Sequence, residues 1–150
     1  NAQIIFEPGR YLTANGGVLL TEVLFTKTNS LGKNFTVVDA AMTELLRPSI
    51  YKAYHHIQPL NKTNEEDLVM DVVGPVCESG DYIAKNRSLP KVKRKDLLAI
   101  MSAGAYSMVM SSNYNARRRP PEILVDGDHY NVIRSRETFD HLVYDEKIIP

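Results

Sequence analysis

This chain has a single cysteine, no net charge and no long apolar run. One cysteine excludes an internal disulfide and suits a reducing, cytoplasmic setting. Eighteen basic residues offset eighteen acidic ones. That balance removes the electrostatic case for nucleic acid or an anionic membrane as partner. No apolar stretch nears the roughly 20 residues that a membrane-spanning helix needs. An initiating Met and a signal-peptide pattern are also missing, because Asn1, Ala2 and Gln3 lead straight into apolar residues. A strand so close to the first residue leads us to expect a domain cut from a longer protein. No internal repeat is visible.

What is present is ordinary soluble composition, 43% hydrophobic and 24% charged. A chain of 150 residues can bury about two thirds of its unfolded surface in one core. Gln3 to Phe6 reads as a short buried strand, and Tyr11 to Gly17 as a helical piece stopped by Gly16 and Gly17. Val18 to Thr28 and Asn34 to Ala40 flank a turn and predict a hairpin. Met42 to Leu46 predicts a short helix broken by Pro48, with extended chain from Ser49 to Leu60. Lys62 to Asp67 reads as a loop and Val69 to Val73 as a buried strand.

Tyr82 to Asp96 is polar and basic and reads as a solvated connection, without the interleaved aromatics that nucleic-acid binding uses. Leu97 to Met101 is a further strand, and Ser107 to Asn115 starts helical and becomes loop. Glu122 to Asp126 and Asn131 to Arg136 form a hairpin around Gly127 and Asp128, and Thr138 to Glu146 closes as an amphipathic helix. About seven strands with a few short helices predict a mainly β domain, barrel or sandwich.

Three stretches carry chemistry, each at a predicted strand end. In GPVCESGD, Cys77 is followed by Glu78, so a thiol and a carboxylate share one loop. The plain alternative is a buried thiol beside a solvated acid. In EPGR, Glu7, Pro8, Gly9 and Arg10 combine free backbone N–H groups with a guanidinium, a set suited to an anion; a surface ion pair explains Arg10 equally simply. In AGAY, small residues lead to Tyr106 and let backbone approach a ligand closely. His55 and His56 are adjacent and would face opposite sides of a strand, so no metal site is expected. Arg117, Arg118 and Arg119 suit an anion or simply decorate a loop.

Taken together, EPGR, ELLRPSIY (Glu44 to Tyr51), GPVCESGD, AGAYSMVMSSNYN (Ala103 to Asn115) and RPPEILVDG (Arg119 to Gly127) resemble the C-terminal part of the diaminopimelate decarboxylases. These are pyridoxal-phosphate enzymes of the alanine-racemase-like fold. The resemblance implies that residues 1–17 end a (β/α)8 barrel whose body and cofactor-binding lysine are absent here. Residues 18–150 would then be the C-terminal β-domain, lacking the N-terminal segment that completes it in the family. It further implies Cys77 as proton donor and Glu78 as partner of the substrate's distal ammonium, both reaching into the other subunit's site of a homodimer. Glu7, Pro8, Gly9 and Arg10 would line the cofactor phosphate, and Tyr106 would touch cofactor and substrate. Arg10, Arg47 and Tyr51 would hold the substrate's distal carboxylate.

The implied substrate is meso-diaminopimelate and the product L-lysine, with the isolated chain inactive. Ornithine- and arginine-type decarboxylases, whose loop usually has Asp after the cysteine, form the alternative within the class. A non-catalytic β-domain serving as an interaction module is the alternative outside it.

Overall fold

A computed structural model describes residues 2–149. Among these residues eight strands form, β1 (Leu19–Thr28), β2 (Asn34–Val38), β3 (Ile57–Pro59), β4 (Asp67–Val73), β5 (Tyr82–Pro90), β6 (Leu97–Ile100), β7 (Glu122–Asp126) and β8 (His129–Arg134). Three short helices join them, α1 (Arg10–Thr13), α2 (Arg47–Tyr51) and α3 (Phe139–Leu142), with single 3-10 turns at Ala14–Gly16, Met108–Met110 and Tyr114–Ala116.

The predicted hairpin forms as β1 and β2, antiparallel with Val23 opposite Val38. Its turn is closed by the Asn29 side chain, which accepts from Leu31 N–H at 3.0 Å and Lys33 N–H at 2.9 Å. Strand order is β3-β6-β1-β2-β4-β5. Every neighbouring pair is antiparallel except β2 with β4. The two edge strands approach each other, and Arg87 of β5 donates to the His55 carbonyl ahead of β3 at 2.8 Å. The sheet is therefore a nearly closed barrel. Its interior is filled by Val23, Val38, Leu45, Ile57, Val72, Ile83, Leu98 and Ile100, each essentially inaccessible to solvent, and each worth about 1.5–3 kcal/mol of burial. β7 and β8 form a separate two-stranded hairpin.

Several elements differ from the sequence expectation. Gln3 to Phe6 is not a strand, and Ile4, Ile5 and Phe6 are exposed. A strand needs a neighbour to satisfy its backbone, and none of the described residues pairs with this segment. The helix expected at Met42 to Leu46 is a turn, and the helix lies instead at Arg47–Tyr51. Pro48 sits in that helix's first turn, where a missing N–H costs nothing, so it starts a helix rather than breaking one. Only Ile57–Pro59 of the expected extended segment is a strand.

Tyr82 to Asp96, read as a connection, contains the nine-residue β5. Its charged residues concealed the buried positions Ile83, Ala84 and Leu89. Strand β8 starts two residues earlier than expected, leaving Gly127 and Asp128 as a two-residue turn. The closing helix is confined to Phe139–Leu142, where Thr138 caps it by accepting from His141 N–H. Ser107 to Asn115 carries 3-10 turns rather than an α-helix.

Candidate functional site

The site residues fall into two clusters tied together by the segment 42–51. The first gathers the turn before α1, helix α2 and the chain after β6. Gly9 precedes α1, whose first turn is closed by Leu12 N–H donating to the Gly9 carbonyl at 3.0 Å. A Cβ placed on Gly9 would lie 3.5 Å from the Tyr106 hydroxyl. That is ordinary contact distance, so the Gly9 backbone and the Tyr106 phenol adjoin. Arg47 lies between two aromatic rings, 5.5 Å from the centroids of Tyr51 and Tyr106, within cation–π range. Glu7, Pro8 and Arg10 are exposed on the same turn as Gly9.

Unusual backbone delivers Tyr106. Ser102 and Tyr106 have φ of 58° and 59°, a left-handed conformation that non-glycine residues hold only where surroundings enforce it. Those surroundings include Ala103 N–H to the Gly17 carbonyl at 2.8 Å and Gly104 N–H to the Ala14 carbonyl at 3.0 Å. A Cβ on Gly104 would collide with the Thr13 carbonyl oxygen. Close backbone contact therefore fastens the Tyr106 segment to the α1 turn.

The second cluster is the loop from Gly74 to Asp81. Asp81, buried, is its organiser: the carboxylate accepts from Met42 N–H and Val76 N–H, both at 2.7 Å. The Gly80 carbonyl accepts from the Ser49 hydroxyl of α2. Cys77 and Glu78 are left exposed. The Asn115 side-chain amide lies 3.5 Å from Cys77 Sγ, and the Tyr114 hydroxyl 3.4 Å from Glu78 Oε2. Asn115 and Ala116 also have positive φ, 57° and 53°. Among the described residues no hydrogen bond joins Cys77 or Glu78 to Arg10, Arg47, Tyr51 or Tyr106.

Sequence reasoning assigned no role to Tyr114, Asn115 or Asp81, nor to His55. Tyr114 and Asn115 lie inside a motif already singled out, but nothing local shows that they meet a loop 36 residues away or more. His55 is buried, with Nδ1 2.9 Å from the Met101 carbonyl oxygen and Nε2 lacking a partner among the described residues. Burial pushes its pKa down, the Met101 bond opposes this, and repulsion from Arg47, Arg10 and Arg87 lowers it further. No group of acidic, histidine or cysteine side chains with metal-holding geometry occurs among the described residues.

Residues 10–104 match the family of pyridoxal-dependent decarboxylases at its C-terminal sheet domain. The chain belongs to this family. A diaminopimelate decarboxylase from Aquifex aeolicus is 48% identical over 142 residues, covering 95% of this chain and 34% of that protein. A crystal structure from the same organism superposes with a TM-score of 0.93 at 47% identity, over 99% of this chain and 36% of that one. The arginine decarboxylase of a Paramecium bursaria Chlorella virus, solved with agmatine, is less similar. It reaches a TM-score of 0.66 at 25% identity over 73% of this chain and 30% of its own. The chain thus spans about a third of the length of the relatives it matches. Pyridoxal phosphate is the cofactor that membership of this family implies.

Proposed function

We propose that the chain is the C-terminal domain of a decarboxylase converting meso-2,6-diaminopimelate to L-lysine and CO2. Residues 1–17 end the cofactor-binding barrel, and residues 18–150 form the β-domain. The observation that carries the substrate assignment is Arg47 held between Tyr51 and Tyr106, close to the turn that bears Arg10. A planar guanidinium matches a carboxylate bidentately, and diaminopimelate offers one at its distal end where ornithine and arginine do not.

The residues present suit the cofactor. The Gly9 backbone adjoins the Tyr106 hydroxyl, and Arg10 is exposed on the same turn, a donor set appropriate to a phosphate. Glu7, Pro8, Gly9 and Arg10 would line that phosphate, and Tyr106 would touch cofactor and substrate. When bound, the cofactor supplies an electron sink for the charge left by departing CO2.

The chain's own residues do the rest. Arg10, Arg47 and Tyr51 fix the distal carboxylate, so the α-carboxylate is the one exposed to loss. Cys77 holds the proton that returns to the α-carbon, and Glu78 pairs with the distal ammonium. The Cys77–Glu78 loop serves the site of a second subunit. In support, both side chains are exposed and contact Tyr114 and Asn115 rather than the arginine cluster. The family's cofactor-binding lysine belongs to the barrel, so residues 1–150 alone turn over nothing.

Arg47 provides the test, in the protein extended to its relatives' length. Losing a charge-assisted bond of about 2 kcal/mol, Arg47→Gln raises KM for meso-diaminopimelate by tenfold or more with a smaller change in kcat. An unchanged KM would remove the distal-carboxylate assignment and favour a substrate without that group.

A further inference from the structure

Arg117, first of the arginine run before the two prolines, is not loop decoration, because its guanidinium is engaged within the fold. Its Nε donates to Thr43 Oγ1 at 3.0 Å, and its Nη2 donates to the Asp39 carbonyl at 2.6 Å and to Glu44 Oε2 at 3.3 Å. Glu44 is 6% exposed, and its carboxylate also accepts from Ala41 N–H at 2.7 Å and the Thr43 hydroxyl at 2.9 Å. A carboxylate so buried is tolerated because each contact is a donor and one carries full positive charge.

This network grips the turn immediately before α2, which carries Arg47 and Tyr51. The same turn reaches the other side of the cluster: the Glu44 carbonyl accepts from the Ser107 hydroxyl at 2.8 Å, and the Thr43 carbonyl from Ser112 N–H at 3.1 Å. Ser107 directly follows Tyr106. One guanidinium therefore sets the turn from which both aromatic partners of Arg47 are held. Arg117 also adjoins the Tyr114–Ala116 turn that contacts Cys77 and Glu78.

We propose that Arg117, acting through Glu44, is a positioning residue for the substrate-binding cluster of Arg47, Tyr51 and Tyr106. It touches neither substrate nor cofactor. The inference rests on the distal-carboxylate reading of that cluster. A guanidinium is needed because two of its nitrogens reach three acceptors at fixed angles, which a lysine ammonium on a flexible stem does not reproduce.

The test compares Arg117→Met, Arg117→Lys and the milder Thr43→Val with wild type, all in the protein extended to its relatives' length. We expect Arg117→Met to raise KM for meso-diaminopimelate about tenfold, kcat to fall less than threefold, and visible absorbance of bound cofactor to persist. Arg117→Lys recovers part of that loss, and Thr43→Val, which removes one arm of the network, raises KM by about threefold. If Arg117→Met fails to fold, the Thr43→Val and Arg117→Lys values decide. Wild-type KM in these variants, with KM raised in Arg47→Gln, overturns the positioning role and leaves the substrate reading intact. Absence of turnover in wild type overturns the substrate reading itself.

Discussion

Cys77 sits on a loop whose shape is set by a different residue. Asp81 takes two backbone N–H groups and draws the chain into a turn, leaving the thiol exposed with the Asn115 amide beside it. Gly74 is required there, since a Cβ would run into the Asp81 carboxylate. His55 is the complementary case, a titratable group turned inward. Its pKa lies below the ordinary 6.5, chiefly through burial, with Arg47, Arg10 and Arg87 adding repulsion against the Met101 bond. The unfolded chain then binds a proton on this residue at higher pH than the folded chain does. The stability that depends on neutral His55 is complete above the unfolded value and is lost as pH falls through it toward the lower folded value. Asparagine at this position keeps a donor for the Met101 carbonyl without titrating. Thermal unfolding from about pH 7 to about pH 5 should therefore cost wild type more stability than His55→Asn. Equal pH slopes in the two proteins would contradict the burial of a neutral imidazole.

At the scale of elements, the site depends on how closely the chain after β6 lies against the α1 turn. Gly104 fits only without a side chain, as its Cβ would enter the Thr13 carbonyl, while Gly16 has nothing within 4 Å of that position. Gly104→Ala should lower stability by about 1–3 kcal/mol, the usual cost of overpacking, and Gly16→Ala should change it little. Chemical denaturation of both variants checks this, and equal effects would contradict the close approach.

The same elements mark what the sequence made legible. The first hairpin could be read because its turn residues and β-branched flanks agree, and EPGR, the Cys77 loop and AGAY stood out through their glycine and proline, although no strand precedes EPGR among the described residues. Strand β5 could not be read, since Lys85, Asn86 and Arg87 hide the buried spacing of Ile83 and Leu89, and Asn86 interrupts it with φ of 50°. Pro48 was misread because proline breaks and begins helices with the same local signature. The partnerships of Arg117 with Glu44 and of Asn115 with Cys77 span 73 and 38 residues. Long-range pairs of that kind leave no periodic trace.

At the scale of the whole molecule, the barrel core is complete while other apolar surface is not covered. Ile4, Ile5 and Phe6 are exposed, as are Leu124, Val125, Tyr130 and Ile133 on the β7–β8 hairpin. Apolar surface of that extent ordinarily marks a contact face. This agrees with a chain that spans a third of its relatives' length. The most direct measurement is release of CO2 and L-lysine from meso-diaminopimelate by the protein extended to that length. Ornithine, arginine, residues 1–150 alone and Cys77→Ala are assayed in parallel. The account predicts lysine formation by the extended protein, none by residues 1–150, and a fall of about hundredfold or more in kcat for Cys77→Ala, within the range of general acid catalysis. Turnover of ornithine or arginine in place of diaminopimelate, or full activity in Cys77→Ala, would contradict it.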